Sequence, residues 1–130
     1  MLVVDASVLA PALIDDGPNG DDARSRLRDE ELAAPELIDL EILSVLRRHL
    51  ALGALDERRA RLALRDLVDI PVVRAPHGPL LARAWELREN LTVYDAAYVA
   101  LAEALDAPLL TADTKLAGAT GPRCEIQLIA

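Results

Sequence analysis

Apolar residues fall along this chain in two rhythms: short segments that favour strands, and longer stretches with helical spacing. Leu2 to Val4, Leu32 to Ala34, Ile70 to Val73, Pro108 to Thr111 and Glu125 to Leu128 read as five short strands. Val8, Leu9, Leu13 and Ile14 continue from the first of these as a helix, and Asp15-Asp16-Gly17-Pro18-Asn19-Gly20 is a loop by its turn residues. Asp21 to Arg28 is a short helix. Pro35 suits the first turn of the next one, in which Leu37, Ile38, Leu40, Ile42, Val45, Leu46 and Leu50 keep helical spacing as far as Gly53. Asp56 can cap a helix from Glu57 to about Leu67. Gly78-Pro79 opens a helix through Trp85 to about Leu91, and another runs from near Thr92 through Tyr98, Leu101 and Leu105. Asp113 to Ala117 is a single helical turn, and Gly118 to Pro122 a loop. Apolar strands alternating with helices predict an α/β fold whose parallel sheet is covered on both faces.

Composition narrows this picture. With 52% hydrophobic and 28% charged residues, the 130-residue chain can build one core, and no repeat or linker divides it, so residues 1–130 are expected to form one domain. Acidic residues outnumber basic ones by 22 to 14, and the net charge of −8 argues against gripping nucleic acid through a broad basic face. No apolar run approaches the roughly 18 to 20 residues that cross a bilayer, so no membrane association is expected. Cys124 is alone, which excludes an internal disulfide and a cysteine-rich zinc site. The start, Met1-Leu2-Val3-Val4-Asp5, lacks the basic flank of a signal peptide. A reducing cytoplasm fits this chemistry.

Four acids stand out by position. Asp5 follows the first strand and Asp113 the fourth, at the strand ends where parallel α/β folds place ligands. Each also has a plain structural use, since Asp5 or Ser7 can cap the first helix and Asp113 the turn after the fourth strand. Glu41 lies inside a helix, beside Leu37, Ile38 and Val45, so it projects from a largely apolar stripe unless it leans out to solvent or to Arg47 or Arg48. Asp95 opens an Ala-rich helix, where a first-turn acid favours the dipole, and Tyr98 and Val99 share its face. If the four met in one pocket, their repulsion would raise some pKa values unless a cation sat between them. Carboxylate oxygens without cysteine, with only His49 and His77 available, favour Mg²⁺ or Mn²⁺ over zinc.

These residues carry a resemblance to a known family. The motifs are Val4-Asp5-Ala6-Ser7-Val8-Leu9, Ala34-Pro35-Glu36-Leu37 leading to Glu41 and Leu46, Tyr94-Asp95-Ala96-Ala97-Tyr98-Val99-Ala100-Leu101-Ala102, and Leu110-Thr111-Ala112-Asp113. In this order and spacing the chain resembles PIN-domain proteins, and among them the VapC toxins of VapBC toxin–antitoxin pairs, essentially end to end. The resemblance implies a three-layer α/β/α sandwich and a metal-dependent endoribonuclease in which a metal-activated water attacks an RNA phosphodiester in line. Asp5, Glu41, Asp95 and Asp113 would form its acidic quartet, with Asp5 and Asp95 as direct Mg²⁺ or Mn²⁺ ligands and Glu41 and Asp113 completing the site directly or through water. Ser7 and Thr111 match positions whose hydroxyls support the acids. A homodimer and a VapB-like antitoxin with a basic tail are the implied partners. Ser44 departs from the family pattern, where many relatives carry Asn, and Lys115 stands at a position acidic in some PIN nucleases.

Other residues have less specific readings. Arg58, Arg59, Arg61 and Arg65 suit either a solvated helix face or an RNA-guiding edge, the former being the more common use. Trp85, Tyr94 and Tyr98 are the only aromatics, too few for a stacking platform, and Trp85 is expected in the core or at a dimer contact. A phosphoacceptor receiver domain shares the doubly wound pattern, yet Ala6 follows Asp5 and Arg74-Ala75-Pro76 follows the third strand, where that chemistry needs acids. A catalytically silent binding module on the same fold is the alternative function.

Overall fold

A computed structural model describes residues 1–129. Its centre is a five-stranded, all-parallel sheet in the order β3-β2-β1-β4-β5. The strands are β1 (Leu2–Val4), β2 (Leu32–Pro35), β3 (Val72–Ala75), β4 (Leu109–Thr111) and β5 (Ile126–Leu128). β1 is the middle strand, and Leu2, Val3 and Val4 are buried on both faces, each apolar side chain contributing roughly 1.5–3 kcal/mol. Register is fixed on either side by Val3 opposite Ala33 of β2 and Val3 opposite Leu109 of β4.

Helices cover both faces. α1 (Ala6–Ile14) packs on α2 (Pro18–Leu27), α3 (Leu37–Ala51) and α4 (Glu57–Asp69), so these share one layer. A 3₁₀ turn (Gly78–Leu80), α5 (Leu81–Glu86) and α6 (Val93–Leu105) form the other, and α7 (Thr114–Ala117) joins β4 to β5. Strands β1, β2 and β3 step outward in one direction and the chain then returns to the other side of β1. Right-handed crossovers therefore place α1–α4 and α5–α6 on opposite faces. The fold is the three-layer sandwich the sequence led us to expect.

Several boundaries differ from expectation, each for a local reason. α2 starts at Pro18, in the favoured first helical position, and Asn19 and Gly20 lie inside it rather than in a loop. Gly20 is required there, because a Cβ would stand 1.8 Å from the Asp15 carbonyl oxygen. Pro35 ends β2 opposite Ala75, and α3 begins two residues later. α4 continues to Asp69, which moves β3 two residues on. The helix expected through Leu91 divides into the 3₁₀ turn and α5 and stops at Glu86. Trp85 is 62% exposed, outside the core, with the Arg88 guanidinium 4.4 Å over its ring.

Arginines tie the layers together. Arg59 donates to the Leu13 and Ile14 carbonyl oxygens at the end of α1 and to Asp16, which withdraws it from any RNA-guiding edge, whereas Arg58, Arg61 and Arg65 stay exposed. Arg74, at the sheet edge, donates to the carbonyls of Leu67 (2.5 Å), Ile70 (3.1 Å) and Val72 (3.2 Å) and to Asp39 on α3 (3.1 Å). One guanidinium thus closes the end of α4 and joins it to α3 and β3. Arg74→Met should cost about 2 kcal/mol or more and lower Tm by about 5 °C or more, measured by thermal denaturation. Arg74→Lys should recover little of this, because a single ammonium cannot reproduce the fork.

Candidate active site

The carboxyl end of β1 is where the chain reverses direction across the sheet, and Asp5 stands there. Its backbone occupies the cap position of α1 and accepts from the amides of Val8 (3.0 Å) and Leu9 (3.1 Å), but its side chain makes no capping bond. Asp5 as a whole is only 6% exposed. Ser7 Oγ donates to its Oδ2 at 2.7 Å and Thr111 Oγ1 to the same oxygen at 2.8 Å. Each hydroxyl has one proton, so the 3.3 Å approach of Ser7 to Thr111 is not an additional directed bond. Both hydroxyls also accept, Ser7 from the Ala112 amide (2.9 Å) and Thr111 from that of Asp113 (3.1 Å). The turn after β1 and the turn after β4 are thereby fastened to one carboxylate.

Two acids arrive on helices. Thr92 caps α6 by accepting from the Asp95 amide at 3.1 Å, which sets Asp95 in the first turn of a helix buried from Ala96 to Ala102. Burial raises the Asp95 pKa first, then the nearby charges of Asp5 and Asp113, with the Thr92 hydroxyl in partial opposition. Glu41 projects half-buried from α3 and accepts from the Tyr98 hydroxyl at 2.7 Å. Burial raises its pKa, the Tyr98 bond lowers it in part, and the charges of Asp5 and Asp95 raise it further. Asp113 does cap α7, its Oδ1 accepting from the Lys115 amide at 2.9 Å, so the structural use anticipated for it is real and sits beside its charge on Asp95. The structure thus brings Asp5, Glu41, Asp95 and Asp113 into one electrostatic neighbourhood.

Six acids elsewhere are paired with arginines instead. Arg59 bonds to Asp16 and lowers its pKa. Burial would raise that of Glu103, but the Arg83 guanidinium, 2.7 Å away, brings it below the ordinary value. Among the described residues, none of the four convergent acids takes part in a salt bridge. Nor do any three of them stand close enough to form a ready-made ligand cluster. The missing cationic partner leaves room for the charge of a hard, well-hydrated ion, which takes one or two carboxylates and keeps several waters.

Comparison with known proteins fits this geometry. The family model for the PIN domain matches residues 2–121. The chain belongs to the PIN-domain family. This PIN domain is 44% identical over 128 residues to Ribonuclease VapC1 of Mycobacterium tuberculosis, covering 98% of the chain and 96% of the relative. It is 46% identical over 132 residues to Ribonuclease VapC9 of the same species, covering 99% and 98%. The crystal structure of M. tuberculosis VapC20, described as a sarcin-ricin loop cleaving toxin, superposes with a TM-score of 0.71 over 92% of this chain and 97% of that one. At 17% identity that likeness concerns the fold alone.

The remaining residues of interest in this PIN domain lie beside the four acids or away from them. Ser44 is exposed on α3, and the Lys115 side chain is exposed beside Asp113. His77 Nε2 accepts from the Leu37 amide (3.0 Å) at the start of the helix that carries Glu41, and His49 Nδ1 donates to the Val45 carbonyl (2.9 Å). Two further residues, Thr92 and Tyr98, contribute to the site. Thr92-Val93-Tyr94-Asp95 has the spacing of a capping box, a signal visible in the letters. For Tyr98 the sequence shows only an aromatic on the Asp95 face. Being 0% exposed, it requires a partner for its hydroxyl, and that partner is Glu41.

These raised pKa values have a signed consequence. Folded protein holds protons on Glu41 and Asp95 more tightly than unfolded chain does. Without metal, stability should therefore rise as pH falls from neutral through their raised values toward the ordinary carboxylate range. Glu41→Gln keeps an acceptor for Tyr98 and removes the charge, so it should raise the metal-free Tm by a few degrees at pH 7. The gain should vanish in acid, as followed by thermal denaturation across pH.

Proposed function

We propose that this single-domain PIN protein is the toxin of a type II toxin–antitoxin pair and an Mg²⁺- or Mn²⁺-dependent endoribonuclease. The observation that carries this reading is the convergence of four carboxylates from four segments with no basic side chain paired to them among the described residues. Its supporting context is close similarity, over nearly the whole chain, to proteins named as VapC ribonucleases.

Asp5 and Asp95 are the proposed direct ligands, and Glu41 and Asp113 act directly or through water. A bound ion would supply Lewis acidity, lowering the pKa of an attacking water and neutralising phosphate charge. The protein's own part is positional. Ser7 and Thr111 fix Asp5 by one oxygen, leaving Oδ1 without a side-chain donor among the described residues. α6 presents Asp95 from a capped, rigid first turn, and Asp113 keeps one oxygen on its own helix. An acidic pocket of this kind repels RNA until a cation is present, so substrate and ion should bind together.

The same charge logic supports a VapB-like antitoxin with a basic tail, since guanidinium groups pair well with carboxylates and would occupy the place of metal and RNA. For the homodimer, the exposed side chains Leu81, Trp85, Val93 and Tyr94 offer an apolar contact surface beside Asp95. Among the described residues no helix is long and apolar enough to cross a membrane. A cytoplasmic location completes the proposal.

A mixed RNA pool incubated with antitoxin-free protein tests it. Cleavage should require Mg²⁺ or Mn²⁺, stop with chelator, and fall more than about 100-fold in Asp5→Asn and Asp95→Asn. Equal cleavage with and without metal, or by both variants, would overturn the mechanism. Metal binding without cleavage of any RNA would favour the silent binding module.

A further inference from the structure

Glu41 is the one acid of the four that must reach the pocket on a long, flexible side chain from the middle of a helix. Left alone, it would spread over several rotamers, and fixing it carries an entropic cost on the order of 1.5–2 kcal/mol. The structure fixes it from the opposite layer. Tyr98 lies one turn beyond Asp95 on α6, its ring is 0% exposed, and its hydroxyl donates to Glu41 Oε1 at 2.7 Å. A tyrosine has only two side-chain torsions, and this one is packed in the Ala-rich, buried stretch of α6, so its oxygen is a fixed point against the sheet. The bond occupies one carboxylate oxygen and leaves Oε2 without a side-chain donor among the described residues. Asp5 is treated in the same way, with Oδ2 held and Oδ1 left.

We propose that Tyr98 is a positioning residue for divalent-cation binding, orienting Glu41 toward the pocket by holding Oε1 so that Oε2 serves the ion or its water. This rests on the reading of the pocket as a metal-dependent nuclease site. A single helix then sets two acids at once, Asp95 directly and Glu41 through Tyr98, and their spacing is coupled to the packing of α6 on the sheet.

Direct Mn²⁺ binding to the full-length protein tests this without RNA, by electron paramagnetic resonance titration of wild type, Tyr98→Phe, Glu41→Ala and the double variant. The Phe variant keeps the buried ring and removes the donor. It should weaken Mn²⁺ binding about tenfold or more and lower kcat while leaving the KM for RNA little changed. In the Glu41→Ala background the Phe substitution should add nothing further. Unchanged Mn²⁺ affinity in Tyr98→Phe, or an equal loss with and without Glu41, overturns the inference, as does a wild type that binds no Mn²⁺. Should the Phe variant lose its thermal transition, Glu41→Asp provides the second measurement with Tyr98 intact: it keeps the charge but is one methylene too short to hold the same place against the Tyr98 hydroxyl, so it should weaken Mn²⁺ binding about tenfold or more, and wild-type affinity in Glu41→Asp also overturns the inference. Tyr98-dependent Mn²⁺ binding with no cleavage of any RNA would leave the inference standing and remove the ribonuclease reading. RNA cleavage with Tyr98-independent Mn²⁺ binding would do the reverse.

Discussion

A buried carboxylate can be held in place by cations or by neutral donors, and the choice made at Asp5 governs the rest of this molecule. Ser7 and Thr111 satisfy one of its oxygens with hydroxyl protons and bring no positive charge with them. An arginine at the same point would have neutralised Asp5 permanently. Neutral donors keep the negative charge available at the central strand of the sheet, where helices from both layers can add to it.

Everything around that point serves the same arrangement. The short strands place Asp5 and Thr111 at adjacent strand ends, and the order β3-β2-β1-β4-β5 puts the reversal of chain direction, where α/β folds hold ligands, at those ends. α3 and α6 lie on opposite faces of the sheet and meet over this edge through the Tyr98–Glu41 bond. Away from it, Arg59, Arg74 and Arg83 pair with Asp16, Asp39 and Glu103, so these three acids are compensated and the four of the site are not. The net charge of −8, which by itself argues against a nucleic-acid partner, is therefore a poor summary of a surface whose acids have two different uses.

The alternation of apolar runs and helical stripes carried the architecture, because a strand buried on both faces, such as Leu2–Val4, has little alternative. The four acids stood out less sharply: Asp5, Asp113 and Asp95 each have a plain structural use at a helix start, one that Asp113 does fulfil, and only Glu41 in its apolar stripe had none at a helix end. What stayed hidden depended on contacts between distant segments. Pro35 is compatible with a helix start by its own torsion, and pairing with Ala75 decided for the strand. Trp85 has the size and spacing of a core residue, yet α5 turns it outward. The partner of Tyr98 lies 57 residues away, a distance no local pattern spans.

The two hydroxyls that grip Asp5 are each a donor and an acceptor within one short side chain, since the same oxygens receive the amides of Ala112 and Asp113. Few amino acids meet that specification. A longer amide side chain would overshoot, a methyl would strand an amide and a carboxylate oxygen together, and a second acid would add repulsion at the worst place. The bonding at positions 7 and 111 therefore admits little beyond the exchange of serine for threonine. The narrowest chemical requirement in the protein falls on two residues that carry no charge at all.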